Sequence, residues 1–440
     1  TWKVDNTLGG TTVIGTIDSS GLYLAPVKIP TASTVVGAGD VAGVTVSASG
    51  ATNSAAVTLV SRFEAAAPLP VSTCTPCSEL PSAVVAADLD NDTYADIITA
   101  NPGNGTVSVL LATGAGGFST PVSSPVANGD SEPDALVVSS FTSDANLDVV
   151  VADGSFVSPA VRTLPGTGTA TFGPEQGRSL PAGSDPLSMA SGRFNANDVY
   201  PDIVVANFLA NTIQVLLGDG NGGFGAATSI LGGTFDSPLD VAAGDFNHDG
   251  VDDLAIASNG FLNPQASLNK LVIAINDGSG GFLAPEYYDI PGSPSAVALA
   301  DLNGDTYLDA LVTDGGGDTL TIYLNRAGAA GKILNTSWSD SLATGRNPLA
   351  VAAGDFNQDG AQDAVVVNNL SGTITTYFGR NNGTLTPSET YRVRETDPGS
   401  AEPLAVAVSD FDRDGWPDLV VANSGDDSVT VFRNRGAATP

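Results

Sequence analysis

From residue 60 onward the chain shows no sustained helical periodicity; short strand patterns recur instead. Each unit opens with an alternating run, as at residues 83–87 and 404–408, and passes through an Asp-rich loop. A continuous apolar run follows, as at 202–207 and 418–423, then a third strand such as 212–217. A Gly-rich turn such as 220–224 and a more polar fourth strand end the unit. Aligned on the first loop position, the units begin their loops at Asp88, Ser140, Arg193, Asp245, Asp301, Asp355 and Asp410, in steps of 52, 53, 52, 56, 54 and 55. A proline stands seven residues before each: Pro81, Pro133, Pro186, Pro238, Pro294, Pro348 and Pro403. Four strands per unit in seven units predict a seven-bladed β-propeller over residues 61–440. The apolar second strand suits a position between neighbouring blades, buried on both faces.

The last unit stops after its third strand, at residues 428–432. Residues 62–71, ahead of the first loop, read as a fourth strand; residues 282–288 have the same pattern. Pairing of 62–71 with 428–433 is therefore expected to complete the final blade, closing the ring and removing two edges.

Residues 1–60 differ. Short alternating segments punctuated by Gly and Pro, including 41–48 and 55–60, predict antiparallel strands of a sandwich. The series Trp2-Lys-Val4, Gly15-Thr-Ile17 and Gly21-Leu-Tyr-Leu-Ala-Pro26 resembles bacterial Ig-like domains of extracellular proteins. Such domains run to about 80–100 residues, so this one is partial, and the strands that normally precede the Trp are missing. The fold expected is all-β: the propeller preceded by a partial Ig-like β-sandwich. With neither an initiator Met nor a signal peptide, the chain reads as a processed or trimmed piece.

Five loops carry the candidate chemistry. Carboxylate or amide oxygens fall at positions 1, 3, 5 and 9: Asp88, Asp90, Asp92 and Asp96; Asp245, Asn247, Asp249 and Asp253; Asp301, Asn303, Asp305 and Asp309; Asp355, Asn357, Asp359 and Asp363; Asp410, Asp412, Asp414 and Asp418. Alternate oxygens on a tight loop converge on one point, and a glycine at position 6 permits the bend; a hard cation is the natural occupant. The second unit keeps only Asp144 and Asp148, and the third has Arg193, Asn195 and Asn197 with an extra residue before Asp202, so these two are expected to hold no ion.

Residues 60–440 thus resemble FG-GAP/VCBS-type repeats, as in integrin-α-like propellers. The resemblance implies Ca²⁺ bound through side chains at positions 1, 3, 5 and 9 and a backbone carbonyl at position 7, here Tyr94, Val251, Tyr307, Ala361 and Trp416. A stabilising role suffices for such ions. At millimolar Ca²⁺ and a Kd of about 10⁻⁴ M, each site adds about 1.4 kcal/mol.

Net charge is −32, with 16 basic residues forming no stripe, which excludes nucleic acid as a partner. Five Ca²⁺ would bring it to about −22. No apolar run reaches transmembrane length. The one histidine, His248, occupies a non-ligand loop position, and its solitude argues against Ser–His–Asp and multi-histidine zinc chemistry. Cys74 and Cys77 read as a local disulfide pinning a loop, with two free thiols as the alternative.

Three segments exceed the repeat's needs, 260–269, 326–346 and 392–402, and carry Phe261, Trp338, Arg346, Arg392 and Arg394. Exposed aromatics and arginines are typical anchors of recognition; ordinary long loops are the equal alternative. The function expected is a non-enzymatic binding or adhesion module, extracellular or at the cell surface, with a protein or glycan ligand or copies of itself as partner. A structural subunit of a filament or surface layer, assembled by strand addition at the Ig-like domain, is the second reading. A Ca²⁺-dependent polysaccharide-acting enzyme is the third; no Lys/Tyr/His cluster or carboxylate pair outside the loops supports it.

Overall fold

A computed structural model describes residues 62–74, 78–114, 116–126, 131–155, 157–196, 198–230, 236–260, 269–328, 332–394 and 401–436, the side chains of 336–340 excepted. Upstream it describes only the backbone of short strands. Trp2–Val4, Thr7–Leu8, Ala42–Ala48 and Ala55–Leu59 pair antiparallel in one sheet, and Gly10–Thr11, Gly15–Ile17 and Tyr23–Leu24 in another. The rest of the Ig-like reading lies outside the described residues.

Beyond these strands the chain forms seven antiparallel sheets, each a blade. Blade 1 runs Ala83–Ala87, Asp96–Asn101, Thr106–Leu110, Val122–Pro125, in that order from inside to outside. Blades 2 to 6 repeat the order, with innermost strands Pro133–Ser139, Pro186–Gly192, Pro238–Gly244, Pro294–Ala300 and Pro348–Gly354. Blade 7 takes Pro403–Ser409, Asp418–Asn423 and Ser428–Asn434 from the C-terminal end. Its outermost strand comes from the other end of the propeller: Phe63–Ala65 pairs with Ser428–Asn434 through Phe432↔Ala65 and Asn434↔Phe63, and Leu69–Pro70 pairs through Val429↔Leu69.

Each innermost strand packs against that of the next blade, and that of blade 7 against that of blade 1. The second strands, rich in β-branched residues, are buried throughout except for Asn259. Burial on both sides follows from the packing: seven hydrophobic clusters occupy the seven interfaces between blades. The interface of blades 7 and 1 holds Val84, Ile97, Phe411 and Val431. In blades 2 to 7 the register slips beside the leading proline, which cannot donate to the ladder.

Because the strands alternate in direction, the loops between first and second strands share one face of the ring with the turns between third and fourth. The remaining connections lie on the opposite face. There Asn211, Asp318 and Asp427, in left-handed backbone, each accept an N–H from the residue that precedes the next blade's proline: Ser237 (2.7 Å), Asn347 (2.7 Å) and Leu80 (2.9 Å).

Candidate metal centres

The five complete loops share one hydrogen-bond frame. In the first, both oxygens of Asp88 accept backbone N–H groups, from Asp92 at 3.0 Å and Thr93 at 2.8 Å. Asp90 Oδ1 also accepts the Asp92 N–H, and Asp92 Oδ1 accepts that of Tyr94. The same bonds organise the loops around Asp245, Asp301, Asp355 and Asp410. Each N–H that bonds a loop oxygen fixes that side chain against the loop's own backbone. Positions 4 and 6 are left-handed in every complete loop, Asn91 (φ 62°) and Thr93 (φ 80°) in the first. The sequence pattern expects glycine at position 6, and Gly250, Gly360 and Gly415 supply it; Thr93 and Thr306 adopt the same backbone against the preference of a β-branched residue.

The ninth position is built differently. Asp96, Asp253, Asp309, Asp363 and Asp418 are fully buried, each at the start of a second strand. One oxygen accepts the N–H of loop position 2 and the other that of the residue leaving the third strand, as Asp96 does from Leu89 and Ala112 at 2.8 Å each. Burial, then the neighbouring loop carboxylates, push these carboxyls up, to about 6 for Asp96 and Asp363 and to about 7 for Asp253, Asp309 and Asp418. In the two incomplete loops Asp202 keeps both bonds, while Asp148 keeps the one from beyond the third strand and takes the N–H of Thr142, loop position 3, on its other oxygen. The ninth aspartate is therefore part of the blade whether or not the rest of the loop could hold an ion.

Oxygen donors of this kind suit a hard cation, and the first and last loops bring positions 1, 3 and 9 together, though not the position-5 carboxylates Asp92 and Asp414. In the first and last loops, oxygens of Asp88, Asp90 and Asp96, and of Asp410, Asp412 and Asp418, lie within 4.8 Å of one another. In the three middle loops an amide, Asn247, Asn303 or Asn357, replaces the carboxylate at position 3 and keeps its oxygen on the position-5 N–H at 2.9 Å. The loops with the most carboxylates repel themselves most, which a divalent ion would relieve. Asp90 and Asp412 are raised by burial first and then by adjacent carboxylates. Of the residues at position 7, Val251 and Ala361 are buried while Tyr94, Tyr307 and Trp416 are half-buried. In the third loop Arg193 is exposed, and its backbone bonds Asp252 in both directions.

Successive loops also touch. Asn91 donates to Asn146 at 3.2 Å. His248 stacks on Tyr307 with ring centres 4.1 Å apart and bonds Thr306 O at 3.0 Å. Gln358 donates to Gly415 O, and Arg413 bonds Thr93 and lies over the Tyr94 ring. Deeper links, which the repeat pattern does not reveal, come from Asn276, Asn325 and Asn434. Each amide donates to the loop of the preceding blade, at Phe194 O, Phe246 O and Phe356 O respectively, and to its own blade. A recurring Asn at or just past the end of the third strand is the available signal, blurred by a glycine at the equivalent points Gly166, Gly218 and Gly379.

The expected recognition anchors are dispersed. Phe261 lies outside the described residues. Trp338 falls within an outermost strand, Leu334–Ala343, in place of the expected long loop, and its side chain is not described. Arg346 is exposed; Arg392 ends the strand Leu385–Arg392. Arg394 is paired with Asp426 of blade 7 at 2.9 Å. Cys74 is disulfide-bonded, and Cys77 lies outside the described residues.

The comparisons with known proteins agree with this architecture. An FG-GAP-like repeat model matches residues 196–256, 301–366 and 355–421, and an FG-GAP repeat model matches residues 80–110. Integrin alpha-V of Gallus gallus is 28 % identical over 222 residues, 44 % of this chain and 21 % of that protein. Integrin alpha-6 of Homo sapiens is 29 % identical over 189 residues, 39 % of this chain and 16 % of that one. The chain thus spans about a fifth of the length of these relatives. Among solved structures, BBS1N in complex with ARL6DN has a TM-score of 0.58 at 15 % identity, covering 87 % of this chain and 99 % of that one. Virginiamycin B lyase from Staphylococcus aureus has a TM-score of 0.55 at 13 % identity, covering 84 % and 99 %. At such identities the likeness is one of fold alone. The chain is a seven-bladed β-propeller that carries FG-GAP repeats and is similar over part of its length to integrin alpha chains.

Proposed function

We propose that this propeller is a calcium-stabilised, non-enzymatic binding or adhesion module that works outside the cell or at its surface. The observation that carries the reading is the hydrogen-bond frame repeated in the five loops, with clustered carboxylate oxygens in the first and last. Ca²⁺ would be held by the side chains at positions 1, 3, 5 and 9 and the carbonyls of Tyr94, Val251, Tyr307, Ala361 and Trp416. It would supply positive charge and no reaction. Residues 1–60 are a separate module in this reading, and Cys74–Cys77 pins the linker behind it.

Similarity to integrin alpha chains supports a binding role for a protein ligand, and no helix among the described residues is long and apolar enough to cross a membrane. A lyase shares the fold, and one of its solved forms is a catalytically inactive histidine-to-alanine variant. The one histidine here is committed to a loop-to-loop contact with Tyr307, which favours the non-enzymatic reading. Arg346 and Arg392, with Phe261 and Trp338, are the proposed contact residues; Arg394, already paired, is the weakest member.

Equilibrium dialysis against calcium tests the reading. Five bound ions are expected, and chelation should lower Tm by many degrees; at about 1.4 kcal/mol per site, five sites make roughly 7 kcal/mol, comparable to the whole stability of a domain. A calcium-free protein that melts with the calcium-loaded one would overturn it.

A further inference from the structure

Where the chain enters blade 1, a carboxylate is buried with no ion-pair partner among the described residues. Glu79 is 1 % exposed and the neighbouring Asn101 is 0 % exposed. Three side chains meet at Thr106 Oγ1: Asn104 Oδ1 at 2.7 Å, Asn101 Nδ2 at 3.1 Å and Glu79 Oε2 at 3.4 Å. A hydroxyl has one proton, and the shorter contact to Asn104 claims it. Glu79 Oε1 and Asn101 Oδ1 have no hydrogen-bond partner at all. The Asp427 carboxylate stands close by, accepting the N–H groups of Glu79 at 2.8 Å and Leu80 at 2.9 Å, so it adds a second negative charge. None of the ion pairs among the described residues involves Glu79 or Asp427.

The amide oxygen is unpartnered at Asn207 and Asn423 too, which end the second strands of blades 3 and 7. An amide alone asks only for a water's hydrogen. A carboxylate withdrawn from water asks for positive charge, because an uncompensated buried ion costs several kcal/mol. Asp236 Oδ2, two residues before the proline of blade 4 as Glu79 is before that of blade 1, is a second carboxylate oxygen without a partner. What distinguishes the blade 1 corner is that its bare carboxylate oxygen comes with a bare amide oxygen, on two residues, Glu79 and Asn101, that both reach Thr106 Oγ1.

We propose that Glu79 Oε1 and Asn101 Oδ1 bind a hard cation, Ca²⁺ or Na⁺, on the face of the ring opposite the aspartate loops. Its position gives it a purpose. Glu79 belongs to the linker that brings the outermost strand of blade 7, Phe63–Ala65 and Leu69–Pro70, round to blade 1. Asn101 belongs to blade 1 itself. An ion between them fastens the closing strand to the first blade, beside the latch that Asp427 already makes from blade 7.

The test compares the full chain with Glu79→Gln, whose amide donates a hydrogen to Asn101 Oδ1 and needs no cation. In calcium dialysis the variant should bind one ion fewer than the wild type, with the aspartate loops untouched. If sodium is the occupant, calcium counts are equal, but the calcium-free wild type gains melting temperature when choline chloride is exchanged for sodium chloride at constant ionic strength, and the variant does not. Equal calcium counts together with equal sodium responses overturn the proposal. Wild-type crystals grown with Sr²⁺ or Tl⁺ give a readout that does not depend on the variant folding. An anomalous peak in coordination reach of Glu79 Oε1 supports the site, and density for water alone in both overturns it. Failure of the five-loop reading would leave this test intact, since Glu79 lies in none of those loops.

Discussion

At the scale of residues, the loops show which positions are set by backbone and which by charge. Position 6 needs a left-handed backbone in every complete loop, and Thr306 adopts it at φ 75°. Thr306→Gly should relieve that strain and raise stability by up to about 1 kcal/mol, the loss of backbone entropy offsetting part of the gain. Gly415→Ala, at φ 92°, should cost about as much or more. Calcium-saturated thermal melts of both variants check the pair, and equal Tm values would mean the loop relaxes around either residue. Away from the loops, the Asp134 carboxyl is pushed up to about 7, by burial first and then by Asp185, Glu132 and Asp153. Its unfolded value is near 3.9. The folded state therefore binds the proton more tightly, and the stability this contributes is complete below pH 4 and lost as pH rises through 7. Asp134→Asn should melt with the wild type near pH 4 and above it at pH 8, by on the order of 1 kcal/mol after allowing for partial exposure. Parallel pH profiles of the two proteins would show that Asp134 is not protonated in the fold.

Among the elements, closure of the ring is the decisive event. The strand Phe63–Ala65 buries Phe63 edge-on against Phe356 and Tyr391, with ring centres 5.8 and 5.7 Å apart. The outermost strands of blades 1 to 3 are largely exposed, while those of blades 4 and 6 are tied by side chains to the next. Tyr288 accepts the N–H of Leu334 at 2.8 Å and Tyr391 that of Phe63 at 3.5 Å, each tyrosine also donating to a glutamate two residues before it. Deleting residues 61–72 should strip blade 7 of its fourth strand and expose the cluster around Phe356 and Phe432, whereas deleting residues 1–58 should leave the propeller folded. Phe63→Ala alone should cost about 3–5 kcal/mol. Circular dichroism melts and limited proteolysis of the two deletions discriminate; equal loss in both would make residues 1–58 part of the propeller's stability.

For the whole molecule, charge governs association. A net charge of −32 keeps copies apart at low salt, and calcium removes only part of it. The adhesion reading expects a soluble monomer in millimolar calcium, by sedimentation and electron microscopy. Fibres that form in calcium and disperse when residues 1–60 are removed would replace it with assembly by strand addition, in which a neighbour completes a sheet edge and the array never closes. The interfaces between blades are continuous in the other direction. Seven clusters of similar make-up encircle the ring, so no blade is free to separate without exposing two of them.

The sequence by itself determined the features that repeat within one unit. The loop frame spans nine residues, its oxygens bond N–H groups two to five positions away, and the spacing of Asp, Asn and Gly therefore encodes it directly. The seven prolines set the register in the same local way, so the blades can be counted along the chain from residue spacing alone. Only the tertiary structure decided what joins one blade to the next. Asn434 reaches Phe356 across 78 residues, with only the recurrence of Asn at that point in three blades to hint at it, and Asp427 reaches Glu79 across 348 with no local signal at all. Strand Leu334–Ala343 escapes the pattern for a related reason: its pairing shifts register opposite Tyr323 and Asn325, so Leu334 packs into one blade interface and Leu342 into the next, and no simple alternation remains to read. The buried carboxylate of Glu79 belongs with these. Nothing in Ser78-Glu79-Leu80-Pro81 distinguishes it from a solvated turn residue until blades 7 and 1 close over it.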